Sequence, residues 1–172
     1  MDSCTFGAEV FVIQPAKTRE DSLTLTRYPT QNTFTFMIEN WSKLGTDPRS
    51  KEFTFKRRQW KLLVYPKGHA TAEGKSLSVY LEVQNLTGEM KVYADFNLPV
   101  LDQVKKKNKE KQFKCWLSAS HPRGGDAEFM PLKDLEKKSA KGFVQDDTLL
   151  VEVQISVVSK HADQTTKELT PQ

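Results

Sequence analysis

The chain has no long apolar run. Nothing in its 172 residues approaches the ~18 consecutive apolar side chains that a membrane-spanning helix needs. The opening residues, MDSCTFGAEV, hold no basic segment followed by an apolar stretch, so no secretory leader is expected there. Cysteine is scarce, with Cys4 and Cys115 the only two. Without a leader they read as reduced thiols of a cytoplasmic protein, with the nucleus left open and a disulfide as the lesser alternative. His69, His121 and His161 are scattered through loops and the tail and make no metal-ligand spacing with those cysteines. Gly124-Gly125 lacks the strand-to-helix setting of a phosphate loop. No heptad run announces a coiled coil, so a monomer is expected. Nor does any nucleophile, base and orienting group fall together. Cys115 lies in the apolar phase of a strand, and His121 alone is no activating partner, so neither enzyme chemistry nor a cofactor is implied.

What is present suits one soluble domain with short extensions. Apolar residues make up 37% and charged residues 28%, and the net charge is +4. The positive excess is gathered in lysine-rich stretches, above all KKKNKEKQ at 105–112, read as a solvated loop. Such a stretch permits a nucleic-acid partner without demanding one, because no aromatic residues are interleaved with the lysines.

Residues 76–96 organise the chain. SLSVYLEV puts Leu77, Val79, Leu81 and Val83 in one phase, and MKVYADF puts Met90, Val92, Ala94 and Phe96 in one phase. A period of two predicts half-buried strands. The turn chemistry from Asn85 to Gly88 predicts a hairpin between them. Setting Val83 opposite Met90 pairs Leu81 with Val92 and Val79 with Ala94. The same register puts Tyr80 beside Tyr93 and Glu82 beside Lys91 on an outer face.

Elsewhere, TFTFMI, EFTF and WKLLVY read as strands, with Trp41 and Trp60 as core or sandwich-edge residues. Residues 69–75 read as a flexible loop. Residues 98–104 continue as strand, and Pro99 favours a sheet edge because it lacks an N–H. From Phe113 to Ser120, Cys115 is inward and Trp116 outward. Residues 132–138 predict one short helix, and Val151, Val153, Ile155 and Val157 predict a last strand. Seven to eight short strands with regular turn signals and almost no helix predict an all-β antiparallel sandwich. Residues 14–32 read as a linker and 159–172 as a disordered tail.

The blocks FTFMIENWSKL, WKLLVYPKGH, LSVYLEV, FMPLKDL and GFVQDDTLLVEVQISV resemble a MATH domain, also called the TRAF-like domain, over residues 33–158. The wording FGAEVFV, YADFNLPVLDQ and SASHP is most similar to plant proteins with tandem MATH repeats, and residues 1–13 resemble the last strand of a preceding repeat. The resemblance implies an eight-stranded sandwich that binds an extended peptide of a partner protein across a shallow groove. It further implies a substrate-recognition or adaptor unit linked to ubiquitination; the alternative is an assembly domain packed against a sister repeat. Tyr80 matches the groove tyrosine of the family, and Trp116 a groove aromatic from a later strand. The phase argument adds Tyr93, and Arg123 and Asp126 border the surface. Where many peptide-binding members read G-W-G-F, this chain has Gly124 and Asp126 in place of aromatics while keeping Phe129, which implies a more basic ligand.

Overall fold

Among the described residues, alternation of apolar and polar side chains is realised along eight strands of six residues or more, sorted into two antiparallel sheets. The computed structural model describes residues 26–27, 32–136 and 142–158. In chain order the strands are β1 (Thr26–Arg27), β2 (Thr33–Ile38), β3 (Arg49–Phe55), β4 (Arg58–Tyr65), β5 (Ser76–Val83), β6 (Lys91–Val100), β7 (Lys109–Ser118), β8 (Arg123–Pro131), β9 (Val144–Gln145) and β10 (Thr148–Val158). One short helix, α1 (Leu132–Glu136), follows β8. One sheet runs β3-β4-β5-β8. The other runs β1-β10-β6-β7, with β2 and β9 also paired to β10.

The hairpin expected over residues 76–96 does not form. β5 pairs with β4 and β8, and β6 pairs with β10 and β7, so the two runs belong to opposite sheets. Leu77, Val79, Leu81, Val92, Ala94 and Phe96 are nonetheless all within 1% of complete burial. They face one core from its two layers. A period of two says which side of a strand is buried, not which strand lies beside it. The link from Gln84 to Met90 crosses between layers, with Asn85 and Gly88 in the left-handed region at φ 59° and 55°. Tyr80 and Tyr93 are therefore not cross-strand neighbours.

Both sheets bury their apolar phase. Trp60, Leu62, Phe96, Leu98, Phe129, Leu149 and Ile155 are essentially inaccessible, each contributing roughly 1.5–3 kcal/mol of transfer free energy. Trp60 is a core residue as expected, and its indole N–H reaches the Phe55 carbonyl at 3.4 Å. Trp41 packs partly buried against the same core. On one flank the sandwich closes through Phe53, whose ring lies 4.4 Å from Phe34 and 5.4 Å from Phe36. On the other flank β7 and β8 are the edge strands of their sheets.

Three further expectations are corrected. Pro99 is not on an edge strand, since β6 lies between β10 and β7. The ladder to β10 skips it, with registered partners at Asn97 and Val100. Residues 69–75 are ordered rather than loose. Gly68, at φ 92°, packs so tightly that a Cβ would lie 2.2 Å from the Ala72 carbonyl oxygen, and Gly74 N–H donates to Lys67 at 2.6 Å. β7 starts at Lys109, so half of the lysine-rich loop is strand. Residues 1–13 and 159–172 lie outside the described residues. Within the segment read as linker, Thr26 and Arg27 pair with Val158 and Val157.

Candidate functional site

The outer face of the β3-β4-β5-β8 sheet carries two rows of side chains. Register sets Glu52 opposite Lys61, Lys61 opposite Glu82, and Glu82 opposite Arg123. Charge thus alternates across all four strands. Lys61 lies 3.0 Å from Glu52, and Arg123 lies 3.4 Å from Glu82. The neighbouring row runs Leu63, Tyr80, Gly125. Leu63 points outward by phase yet is 8% exposed.

Tyr80 is half-buried within a ring cluster. Tyr65 approaches it edge-on at 6.0 Å, His69 lies 5.6 Å away, and Tyr65 and His69 are 4.5 Å apart. The His69 Nδ1 is 3.4 Å from the Tyr80 hydroxyl. Burial pushes the Tyr80 phenol above its ordinary value. The nearby Asp126 charge and Tyr65 act in the same direction, against Arg123. His69 is held by its own N–H, which donates to the Ser78 hydroxyl at 2.9 Å, while that hydroxyl donates to the Ala127 carbonyl at 2.5 Å. Ser78 is fully buried where the β5–β8 register shifts. The sequence points to Tyr80 but not to Tyr65 or His69. The available signal is that Lys61, Leu63 and Tyr65 share the outward phase of WKLLVY.

Asp126 faces elsewhere. It is registered with Val79, a core residue, so it points into the open flank between the two layers. There Lys111 of β7 meets its carboxylate at 2.5 Å and also donates to the Glu128 carbonyl at 3.1 Å. The same ammonium sits 5.5 Å from the centre of the Phe129 ring. The other carboxylate oxygen of Asp126 accepts from the Glu128 N–H at 2.7 Å. Burial pushes the Asp126 carboxyl up, but the hydrogen bonds from Lys111 and Glu128 and the Lys111 charge outweigh it and hold it below the usual range. Gly124 faces the same flank. A Cβ there would lie 2.6 Å from Cys115 Sγ and 3.2 Å from the Phe96 ring, so the space of the missing aromatic is already filled. Cys115 is half-exposed, and burial pushes its thiol up.

Tyr93 and Trp116 are on the outer face of the other sheet. They are directly opposite each other on β6 and β7, with ring centres 5.4 Å apart, and Trp116 is 48% exposed. The five residues singled out in the sequence therefore fall in three places. Tyr80 and Arg123 share one outer face, Asp126 lies in the flank beside it, and Tyr93 with Trp116 occupies the opposite outer face. Among the described residues, no three His, Cys, Asp or Glu side chains gather as a metal site would require.

The family model for the MATH domain matches residues 33–155. A MATH domain and coiled-coil domain-containing protein of Arabidopsis thaliana is 32% identical over 133 residues, covering 74% of this chain and 41% of the relative. Ubiquitin C-terminal hydrolase 12 of the same plant is 32% identical over 129 residues, covering 72% of this chain and 11% of that enzyme. The chain thus spans less than half the length of either relative. Among solved structures, TRAF5 of Notothenia coriiceps superposes with a TM-score of 0.58 over 81% of this chain and 77% of that one, at 21% identity, which establishes likeness of fold. The two-layered antiparallel sandwich, the family match and these relatives agree: the chain belongs to the MATH domain family.

Proposed function

We propose that this domain is a non-catalytic module that grips an extended segment of a partner protein. A MATH domain is a protein-interaction module. The finer reading is that the segment lies across β5 and β8, with Tyr80 as its contact. The observation that carries it is the half-exposed ring cluster of Tyr65, His69 and Tyr80, set beside the glycines of an edge strand. An edge strand offers backbone groups to an added strand, and adjoining side-chain hollows supply selectivity. Aromatic side chains add large contact area at low entropic cost. The matched segment of a ubiquitin hydrolase supports a role in choosing proteins for that pathway.

Affinity capture with the tagged chain, followed by peptide arrays of each captured protein, tests this. Tyr80→Ala should weaken capture severalfold, and Trp116→Ala on the opposite face should leave it intact. Equal recovery with Tyr80→Ala, or loss with Trp116→Ala alone, removes this face from consideration.

A further inference from the structure

The loop joining β6 to β7 is densely charged. From Lys105 to Lys109 the sequence holds four lysines and no acidic residue, a positive charge equal to the net charge of the entire chain. The rest of the molecule is therefore formally close to neutral, so this loop is a concentrated source of positive charge. Residues 104–110 are all exposed.

The loop is built, not slack. Asp102 is 5% exposed, and its Oδ1 accepts the N–H groups of Val104 at 3.0 Å and Lys105 at 2.7 Å. Asp102 N–H donates to Asn108 Oδ1 at 3.0 Å across the loop. Gln103 Nε2 donates to the carbonyls of Phe143 at 2.9 Å and Thr148 at 3.0 Å, anchoring the loop to β9 and β10. A Cβ on Gly142 would lie 1.9 Å from Asp102 Oδ1, so that glycine admits the carboxylate. Lys106 is held in the left-handed region at φ 57°. Packing like charges onto an ordered loop works against folding, and the ordering cost is met before any ligand arrives.

The surface also has apolar content. Val104 is 60% exposed at the head of the lysines. Beside them is a hollow of about 380 Å³ with Leu101, Lys106, Asn108, Leu150 and Glu152 in its wall. Two carboxylates also line that wall, and both are engaged: Asp102 accepts the Val104 and Lys105 amides, and Glu152 accepts from Thr35 at 3.1 Å and from Gln154 at 3.0 Å. Nearby Glu110 accepts from Asn97 at 2.9 Å.

We infer that Val104, Lys106, Lys107 and Lys109 form a docking surface for an acidic segment of a partner protein that carries an apolar side chain for the adjacent hollow. Charge complementarity selects the acidic chain, and the exposed valine with its hollow separates such a segment from a purely polyanionic surface. This surface is independent of the Tyr80 face.

The test uses the full chain and fluorescence anisotropy with a labelled peptide of about twelve residues, rich in Asp and Glu around a central Leu. Its amide counterpart, a single-stranded oligonucleotide of thymidines and phosphatidylserine vesicles are the comparison probes. The acidic peptide should bind at least about tenfold more tightly than its amide counterpart and weaken as salt rises. Lys106→Gln/Lys107→Gln/Lys109→Gln should lose roughly tenfold, with a melting temperature no lower than the parent's. Val104→Ser should weaken binding without altering the salt slope. Tyr80→Ala should bind this peptide like the parent. Equal binding of the amide peptide, unchanged affinity in the triple variant, no binding at all, or tighter binding of the oligonucleotide or vesicles overturns the inference.

Discussion

Gly125 stands directly opposite Tyr80, and it has no room for a side chain. A Cβ would lie 2.2 Å from the Val79 carbonyl oxygen, 2.6 Å from Tyr80 Cα and 2.9 Å from the Tyr80 ring. The tyrosine thus keeps its place because its neighbour has no bulk. Gly125→Ala should cost about 2 kcal/mol, since the obstructing atoms are backbone. Thermal melts check the loss, and near-ultraviolet circular dichroism should register the displaced ring. An unchanged melting temperature would show that β8 has slack.

Both residues of the β3–β4 turn, Lys56 and Arg57, have positive φ, at 52° and 59°. Asn-Gly is the pair suited to that geometry. Replacing Lys56 and Arg57 with Asn and Gly should therefore raise stability by about 1 kcal/mol, read from the urea midpoint. The β9–β10 turn at Asp146 and Asp147 has the same geometry. There the glycine exchange should fail. Asp147 accepts from Ser42 N–H at 2.7 Å and from the Ser42 hydroxyl at 3.0 Å, and Asp147→Gly loses both.

Acid should loosen the loop after β6. The Lys105 N–H bond holds the Asp102 carboxyl below the usual carboxylate range against the opposing effect of burial, with the Val104 and Lys107 amides and the Lys105 charge assisting. A group whose folded value is depressed contributes fully above its unfolded value of about 3.9, and that contribution fades as pH falls through the folded value. Stability should therefore decline below roughly pH 4. Asp102→Asn should flatten that limb and lower stability at pH 7, as denaturation midpoints across the acid range would show. An unchanged acid limb in Asp102→Asn would remove Asp102 as its source.

Lys111 and Asp126 should behave as a coupled pair. Lys111→Met leaves a part-buried carboxylate without its cation and should cost roughly 1 kcal/mol. Asp126→Asn in that background should recover part of the loss. A double-mutant cycle on chemical denaturation measures the coupling, and strict additivity would mean the pair contributes nothing.

The alternating row on the outer face should be sensitive to sign more than to size. Glu82→Lys sets like charges beside both Lys61 and Arg123 and should cost about 1 kcal/mol, shrinking in high salt. Glu82→Gln should cost less and show little salt dependence. Equal losses for the two substitutions would show that charge order is irrelevant.

The two-layered architecture was legible because side-chain alternation marks a strand's buried face whatever its partner. Partnership was not. Leu81 and Val92 both satisfy an inward pattern, yet one belongs to each layer, and the turn residues around Asn85 and Gly88 serve a crossing as well as they serve a hairpin. The hairpin register would set Tyr93 beside Tyr80, whereas the fold sets Gly125 beside Tyr80 and Trp116 beside Tyr93. The substitutions at Gly124 and Asp126 were visible in the sequence, but what replaced the aromatics was not. Cys115 and Phe96 fill one space and Lys111 reaches into the other, and those residues are distant in sequence from β8 or hidden in a lysine run. Tyr65 and His69 are not legible as partners of Tyr80, because a turn separates them from it and only the fold stacks their rings.

Lys111 has one more consequence. At Glu128 it occupies the carbonyl, while Asp126 occupies the N–H. Both hydrogen-bonding groups of a rim residue are thereby spoken for within the molecule. Exposed rims of sheets are where copies stick to one another and grow into fibres. A strand arriving at Glu128 would find neither of its backbone groups free, which makes that stretch of the edge a poor template for zipping on another copy.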